Sequence, residues 1–278
     1  MLDSFTIKKI EDFVYSRPRS VQEIAKHIEK NWRTADRYIA DMQKNFGTIS
    51  TRTFREGTRG ALKIVYWSSI EKVSHSVFQE SLEKDIFAGR KKEDFSGFDI
   101  YQHLDKKNRK ATVEECKTEE ETNIEEFDDI LKATRKQLLI FSGNLSFINL
   151  KSEEVNIFDT LNMLVKRGVS IKIVSRVDLA GKANIEKMLS LNYKFGKELV
   201  ELRHREQPLR AIIFDNFLLR IKEIIIPTGK VKESNKQKFV FYNLKDKEWI
   251  EWISKIFWKM FNSSISAEKR LDSIRSLF

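Results

Sequence analysis

The chain has 278 residues, of which 41% are apolar and 33% are charged, and 51 Lys and Arg outnumber 41 Asp and Glu. This composition predicts a folded chain of about two domains, because ~100 to 200 residues is typical of one domain. Cys116 is the only cysteine, which excludes an intrachain disulfide and a zinc site built from cysteines. The net charge of +10 favours a polyanionic partner, with nucleic acid ahead of an anionic membrane surface.

No segment of the sequence predicts a secretion signal or a membrane span. The N-terminal residues lack an apolar run behind basic residues, and no window approaches ~18 uncharged apolar residues. Together with the single cysteine, this predicts a cytoplasmic protein with no membrane partner. No residue set indicates a cofactor or a metal ion, so we expect neither.

Charge varies along the chain and suggests where its parts begin and end. Residues 1–67 carry a net charge of +5 and residues 125–278 carry +8, whereas residues 68–124 carry −3. An acidic run from Glu114 to Asp129 is typical of a solvated linker or an exposed helix face. A calcium site there would need a glycine-bearing loop, which the run lacks. We therefore place a boundary near this run.

Two helices are predicted at the N-terminus. Apolar residues recur at helical spacing from Ile7 to Val14, and Pro18 prevents the first helix from continuing. Ser20-Val-Gln-Glu23 is a capping-box sequence, in which each of the two end residues binds a backbone N–H of the other. A second helix is therefore expected to begin there.

A third helix and a β-hairpin follow. Apolar residues from Ala35 to Phe46 lie on one helix face, and Gly47 closes the helix. Basic and hydrogen-bonding side chains occupy its other faces. Two β-rich runs then flank the turn at residues 57–60 and predict a hairpin that also carries basic residues. Trp32, just before the third helix, is expected to pack between helices.

Three helices followed by a basic hairpin resemble the winged helix-turn-helix domain of transcription regulators. In that family the third helix enters the major groove of DNA, and the hairpin touches phosphates or the minor groove. The resemblance implies that residues 1–70 are a DNA-binding domain. The side chains expected at the DNA are Arg33, Thr34, Arg37, Tyr38, Lys44, Arg52, Arg55 and Arg59. The alternative is that these side chains are solvated and that the domain binds proteins.

Residues 71–124 are predicted to be a helical and acidic connector. Apolar spacing from Ile70 to Ile86 indicates a helix that leaves the hairpin, and Gly89 ends it. The stretch that follows mixes aromatic and basic residues, which fits either a locally packed turn or a nucleic-acid contact. We favour local packing.

The C-terminal part, residues 125–278, alternates strand and helix patterns. QLLIFS (137–142) and SIKIVSR (170–176) read as buried strands, and a helix pattern between them completes a β-α-β unit. Further strand patterns follow, and a final helix runs from Asp246 to about Phe261. The prediction is a mixed α/β domain whose helices cover a sheet, so that the whole chain combines α+β and α/β architecture.

The segment Pro208-Leu-Arg210-Ala-Ile-Ile-Phe-Asp215 resembles the phospholipase-D superfamily motif H-x-K-x4-D-x6-G-S/T. The resemblance covers about residues 125–265, but Pro208 replaces the histidine, Arg210 replaces the lysine and the Gly-Ser pair is absent. In that superfamily the histidine forms a phosphohistidine with the diester, which proline cannot do. The departures predict that the chain is not an enzyme, and that Arg210 and Asp215 form a structural ion pair.

A winged helix followed by a phospholipase-D-like domain resembles the TrmB-like family of archaeal transcription regulators. The resemblance implies a sequence-specific regulator that binds double-stranded DNA as a homodimer. Its second domain would dimerise or sense an unidentified small-molecule effector. The final helix carries more aromatic residues, from Trp249 to Trp258, than one face needs, so we expect some of them at the dimer interface. Packing on the chain's own sheet is the alternative.

Two other functions remain open. The first is a DNA-directed nuclease or phosphodiesterase of the phospholipase-D type, or a metal-dependent nuclease that uses Asp178, Glu198 or Glu201. The second is a winged-helix scaffold that binds proteins in transcription or repair. Hydrolysis of DNA would separate the nuclease from the regulator, and duplex binding by residues 1–70 would separate the regulator from the scaffold.

Overall fold

The computed structural model describes residues 2–45, 48–55, 61–67, 75–116, 123–196, 198–227 and 237–276. Its N-terminal part contains α1 (Ser4–Ser16), β1 (Arg19–Ser20), α2 (Val21–His27), α3 (Trp32–Asn45), β2 (Ile49–Arg55) and β3 (Ala61–Trp67). The three strands are antiparallel and lie in the order β1-β3-β2. The three helices and two hairpin strands expected from the sequence are therefore all present.

Local sequence signals set where these helices begin. The Asp3 carboxylate accepts a hydrogen bond from the Thr6 N–H at 2.8 Å and begins α1. The expected capping box is present, because Ser20 Oγ accepts from the Glu23 N–H at 3.2 Å and Glu23 accepts from the Ser20 N–H at 2.7 Å. The core of this part consists of buried residues from the helices and the sheet, including Ile10, Ile24, Ile39, Met42 and Val65.

The larger C-terminal part contains seven helices and eight strands among the described residues. It begins with α4 (His75–Ala88), α5 (Gly97–Tyr101), β4 (Arg109–Cys116), α6 (Ile124–Ala133) and β5 (Gln137–Ser142). It continues with α7 (Ile157–Lys166), β6 (Ser170–Ser175), α8 (Lys182–Phe195), β7 (Val200–His204) and β8 (Ala211–Phe214). It ends with β9 (Leu218–Ile225), β10 (Gln237–Leu244), α9 (Lys247–Asn262), β11 (Ile265–Ser266) and α10 (Ala267–Arg275).

These strands form one mixed sheet in the order β11-β7-β6-β5-β8-β9-β10-β4, in which β5, β6 and β7 are parallel. Side chains alternate between its two faces. In β5, Leu138 and Ile140 share a core with α6, α7, α8 and α10, whereas Leu139 and Phe141 share a core with α9. Because both faces are covered, β5 and β6 are nearly continuous apolar runs, which explains their clear signal in the sequence.

The segment expected to be a connector contributes a strand to this sheet. β4 pairs with β10 in antiparallel register over its whole length, from Arg109 to Cys116. The prediction that residues 71–124 only connect two domains and pack locally is therefore wrong for β4. It is an edge strand rich in charged residues, so its apolar signal in the sequence is weak.

The N-terminal part and the large sheet share an aromatic cluster. Phe54 of β2 meets Phe98, Tyr101 and Tyr242 at steep angles, with ring centroids 5.9 to 6.3 Å apart. Aromatic pairs of this geometry contribute ~0.5 to 1.5 kcal/mol beyond the area that they bury. The predicted boundary at residue 70 thus separates two parts that are in buried contact.

The aromatic residues of α9 are buried within the chain. Trp249, Trp252 and Phe257 belong to the core between α9 and the sheet, and Trp258 packs against that core. The expectation that these aromatic residues supply spare surface for a dimer is wrong for Trp249, Trp252 and Phe257, which are buried within the chain, and Trp258 is partly buried. With 16 residues, α9 is the longest described helix, and no described helix is long and apolar enough to cross a membrane.

Two partly buried acids, Asp99 and Glu223, lie where the two parts meet. The Ser96 hydroxyl is 3.0 Å from both carboxylate oxygens of Glu223. Burial raises the pKa of Asp99 well above its ordinary value, and the nearby charges of Glu223 and Asp85 raise it further. Burial also raises the pKa of Glu223. The guanidinium of Arg17, from the N-terminal part, opposes both shifts.

We predict that the free energy of unfolding of Asp99→Asn, relative to that of wild type, increases as pH rises. An acid whose folded pKa is raised binds more protons in the folded chain, so its contribution to the free energy of unfolding decreases as pH rises above the unfolded value of 3.8. In urea unfolding of the full chain, the advantage of Asp99→Asn over wild type should grow from about pH 4.5 to about pH 7.5. Asp129→Asn, which alters an exposed carboxylate of α6, is the matched control. An advantage that does not change with pH would contradict this account.

Candidate functional site

A cavity of about 350 Å³ opens at the carboxyl ends of β5 and β6. Parallel strands end at the same edge of a sheet, so residues 142–144, at the end of β5, come close to Arg176, which follows β6. Arg210, just before the antiparallel β8, and Lys222 of β9 reach the same edge. Asn123, the residue that caps α6, completes the rim. Strand order thus gathers distant parts of the sequence around one cavity.

The lining of this cavity is strongly cationic. Among the described residues that line it, five carry a positive charge and none is a carboxylic acid. The cationic residues are Lys92, Arg176, Arg210, Arg220 and Lys222. Because low-dielectric walls focus the field of such a cluster, the cavity attracts anions.

The Arg210 guanidinium lies close against the loop that follows β5. A Cβ atom added to Gly143 would lie 2.6 Å from Arg210 Nη2 and 2.9 Å from its Cζ, so a larger residue there would displace the guanidinium. Arg210 Nη1 donates to the Leu209 carbonyl oxygen at 3.2 Å. Close packing therefore holds this fork of donors at the wall of the cavity.

Arg220 and Lys222 lie on the same face of β9. Arg220 is only 5% exposed, and its Nη1 donates to Glu126 Oε2 of α6 at 3.1 Å. Burial lowers the pKa of Arg220, and the charge of Glu126 opposes this shift. The Arg220 guanidinium carbon is 4.5 Å from the ring centroid of Phe241, and Lys222 Nζ is 4.2 Å from that of Phe239. Aromatic faces and one carboxylate thus support two inward cations.

Arg176 occupies a more exposed position at the cavity rim. Its Nε donates to Asp178 Oδ2 at 2.6 Å. Asp178 also accepts a hydrogen bond from the Gly181 N–H at 2.9 Å, just before α8. This acid, considered above as a metal ligand, therefore orients an arginine and a turn.

Phenylalanines form the apolar part of the lining. Phe127 of α6 and Phe147, in a short 3-10 turn after β5, meet edge to face with centroids 6.1 Å apart and planes at 74°. Phe241 lines the cavity beside Arg220. The cavity therefore combines positive charge with flat apolar surfaces.

The residues of the degenerate motif do not form one cluster. Pro208 is buried against Gly89, where an added Cβ would lie 2.7 Å from the proline Cγ. Asp215 lies at the other end of β8, roughly 16 Å from Arg210 along a strand that rises ~3.3 Å per residue. Its carboxylate accepts hydrogen bonds from the backbone N–H groups of residues 135–137 at 2.8 to 2.9 Å. The predicted ion pair between Arg210 and Asp215 is therefore wrong.

His204 and Glu201 are engaged away from the cavity. His204 Nδ1 accepts a hydrogen bond from the Val177 N–H at 2.9 Å, and burial lowers the pKa of this imidazole. Glu201 accepts hydrogen bonds from Lys172 at 2.9 Å and from Arg203 at 2.8 Å. Within the described part of the chain, no group of three or more His, Cys, Asp or Glu side chains could hold a metal ion.

The beginning of α3 presents basic and aromatic side chains to solvent. Arg33 and Arg37 are exposed, and Thr34 is partly exposed. Trp32 is 49% exposed, and the Arg33 guanidinium carbon lies 5.7 Å from its ring centroid. The expectation that Trp32 packs between helices is wrong, because the core of the N-terminal part extends along α3 only as far as Ala35.

Other residues expected at DNA have different positions. Tyr38 is 9% exposed and belongs to the N-terminal core, because it shares the apolar stripe of α3, so its predicted base contact is corrected to a packing role. The Arg52 guanidinium carbon lies 5.1 Å from the ring centroid of Tyr101, at the contact between the two parts. Arg59 and the side chains of Lys44 and Arg55 lie outside the described residues.

Sequence reasoning missed most of the cationic cavity. In β9 the alternation of charged and apolar residues indicates that Arg220 and Lys222 share a face, but it does not show that this face meets a cavity. Lys92, Gly143 and Arg176 carry no local signal at all. The order of strands in the sheet brings Gly143 and Arg176 together, and Lys92 reaches the cavity from the segment between α4 and α5.

Three comparisons with known proteins describe what the chain is similar to. No family model matches the chain, and no curated protein matches it. Among solved structures, Nuc, a phospholipase D family member from Salmonella typhimurium, is 17% identical, with a TM-score of 0.39 over 56% of this chain and 98% of Nuc. TrmBL2, an archaeal chromatin protein with a novel mode of DNA binding, is 14% identical, with a TM-score of 0.39 over 95% and 94%. A phosphatidylserine synthase from Haemophilus influenzae is 10% identical, with a TM-score of 0.40 over 76% and 56%.

The prediction that the chain is not an enzyme is contradicted by these neighbours. A phospholipase D family member and a phosphatidylserine synthase are among them. The prediction depended on the departures from the motif, chiefly on Pro208 in place of the histidine. Loss of one nucleophile leaves the cationic cavity intact, and electrostatic stabilisation of a reacting phosphate does not require that histidine. The departures from the motif therefore do not exclude catalysis by the chain.

The contacts of Asp215 predict a structural role for this residue. Asp215→Ala removes the acceptor of three backbone N–H groups and should lower the free energy of unfolding by about 2 kcal/mol or more. Asp215→Asn should cost less, because asparagine keeps one acceptor oxygen and tolerates the left-handed backbone at φ +47°. Urea unfolding of both full-length variants measures the difference. Equal stabilities of the two variants would contradict this role.

Proposed function

We propose that the chain is a DNA-directed protein of the phospholipase-D type whose cavity takes a phosphodiester. The observation that carries the proposal is the convergence of five cationic side chains on a cavity with no carboxylic acid among its described lining residues. Arginine forks match the oxygens of a phosphate group and bind them with two parallel hydrogen bonds. An anion of this shape is therefore the ligand that the cavity suits best.

Arg210 is the cavity side chain whose position is best fixed for binding a phosphate. Its guanidinium is packed on Gly143 before a ligand arrives, so little side-chain freedom is lost on binding. The same donors would stabilise the charge that develops on a phosphodiester during cleavage. Because Pro208 offers no nucleophile, the attacking group in a hydrolysis would be water.

The N-terminal part would deliver the DNA. Three helices followed by two antiparallel strands support a winged helix-turn-helix, in which α3 would enter the major groove. Exposed Arg33 and Arg37 would reach guanine edges or phosphates. Contact with the large sheet through Phe54 would keep this part in a fixed relation to the cavity.

A sequence-specific transcription regulator is the second candidate. The exposed arginines at the beginning of α3 favour it, because this is where a recognition helix reads bases. If the chain is a regulator, the cavity would bind a phosphorylated or otherwise anionic effector. A homodimer would suit a palindromic DNA site.

Changes to the cavity should weaken binding of a small phosphodiester. Arg210→Gln and Lys222→Gln each remove a charged donor, and a hydrogen bond to a charged group is worth ~1.5 to 3 kcal/mol, so affinity for a thymidine dinucleotide should decrease roughly 10-fold or more. Titration calorimetry with the full chain measures the affinity, and a plasmid-nicking assay on the same samples tests cleavage. Arg135→Gln, which alters an exposed arginine outside the cavity, is the matched control. Equal affinity in wild type, Arg210→Gln and Lys222→Gln would remove the phosphodiester proposal.

Changes to α3 should weaken duplex binding instead. Arg37→Ala should cost ~1 to 3 kcal/mol at a preferred sequence if its contact with guanine is bidentate. Arg33→Ala/Arg37→Ala should also make the affinity less dependent on salt concentration, by an amount that corresponds to the loss of up to about two phosphate contacts. Fluorescence anisotropy with labelled duplexes at several salt concentrations measures both effects, and Arg135→Ala serves as the control. Unchanged duplex affinity in the double variant would exclude α3 as the contact surface.

A further inference from the structure

We infer that the cavity holds one unpaired nucleotide, with its phosphate at Arg210 and its base on the pair formed by Phe127 and Phe147. This inference rests on the proposed function and names the substrate class of the same site. It assigns a role in specificity to two side chains that a purely phosphate-binding site would not need.

The apolar lining is the observation that points to a base. Phe127 and Phe147 are only partly buried, line the cavity and meet edge to face at 6.1 Å. Phe241 adds a third ring, and the Arg220 guanidinium lies over it at 4.5 Å. An aromatic wall beside cations matches the two halves of a nucleotide, a flat π-surface and a phosphate.

Polar side chains around the rings suit the edges of a base. The Asn123 side-chain oxygen accepts a hydrogen bond from the Glu126 N–H at 3.1 Å, and that of Asn144 accepts from the Ser146 N–H at 3.2 Å. These contacts engage the amide oxygens and thereby fix the orientation of the amide NH2 groups as donors. Both asparagines line the cavity. A base that stacks on the phenylalanines would meet hydrogen-bond donors at its edge.

Stacking on Phe127 or Phe147 requires the nucleotide to be unpaired. Both faces of a base inside a duplex are covered by its neighbours, so only a single-stranded or extruded nucleotide can offer a face to Phe127 or Phe147. A volume of about 350 Å³ is within the range of small-ligand pockets and suits one nucleotide. The N-terminal part would then hold duplex while the cavity takes a frayed end or an extruded nucleotide.

A phospholipid headgroup is the competing occupant, because it also joins a phosphodiester to apolar groups. Acyl chains pack on any apolar surface and need neither flat rings nor oriented hydrogen-bond donors. The edge-to-face rings and the oriented Asn123 and Asn144 amides therefore favour a base. Binding to phospholipid vesicles tests whether the cavity takes a lipid instead.

The experiment compares oligonucleotides that differ only in their bases. Full-length protein is titrated with a fluorescein-labelled pentathymidylate and with an abasic chain of the same length, which keeps every phosphate. Wild type should bind pentathymidylate about 5- to 100-fold more tightly, as expected from stacking of one base on an aromatic side chain. Phe127→Leu/Phe147→Leu should lose this preference, because leucine keeps the apolar volume and lacks a flat π-face.

The matched control is Phe217→Leu, at a phenylalanine that is 42% exposed and lies outside the cavity, and it should keep the wild-type preference. Photocrosslinking of wild type with a 5-iodouracil oligonucleotide gives a readout that does not depend on the folding of any variant. Crosslinks should map to peptides that contain Phe127, Phe147 or Phe241. Crosslinks confined to α3, or a preference that persists in Phe127→Leu/Phe147→Leu, would overturn the inference.

Failure of this inference and failure of the proposed function give different results. If wild type binds both oligonucleotides equally and Arg210→Gln weakens both, the phosphodiester site stands and base stacking is wrong. If Arg210→Gln changes neither, the proposed function also fails. Binding to phosphatidylglycerol vesicles that depends on Arg210, without a preference for thymidylate, would overturn the nucleotide in favour of a lipid.

Discussion

Side chains on a β-strand alternate between two faces, and in β9 this constraint determines both the cavity and the contact between the two parts of the chain. Arg220 and Lys222 face the cavity, whereas Ile221 and Glu223 face α5 and Tyr242. A slip of one residue in the register between β9 and β10 would exchange the two sets. The same strand pairing therefore determines which residues of β9 supply cations to the cavity and which lie at the contact with the N-terminal part.

Clustered cations are costly to bury, and the fold offsets this cost before any ligand arrives. Arg220 is paired with Glu126 and stacked on Phe241, and Lys222 lies over Phe239. A buried charge without such support would cost several kcal/mol. Because these contacts and the packing of Arg210 on its loop are already formed, little side-chain order would have to be created when a phosphate binds. Donors that are fixed in advance are also what stabilises charge in a reacting phosphate.

The sequence predicts the centre of the sheet well and its edge and site poorly, for physical reasons. β5 and β6 match QLLIFS and SIKIVSR because strands covered on both faces are apolar throughout. β4 is an edge strand with little apolar signal. Tyr38, three residues after Ala35, lies on the apolar stripe of α3, whereas Trp32 lies beyond the point where the core ends along that helix, which spacing alone does not show. The cavity depends on which strands are neighbours, a long-range property that no local pattern contains.

Hydrogen exchange of the full chain, with and without a DNA that has a duplex and a single-stranded end, tests most directly whether the cavity takes a phosphodiester. A ligand phosphate at Arg210 would lie against the loop after β5, so we predict slower exchange of the backbone amides of residues 143–145 on binding, together with slower exchange in α3. Protection confined to α3, with residues 143–145 unchanged, would contradict a phosphodiester site in the cavity.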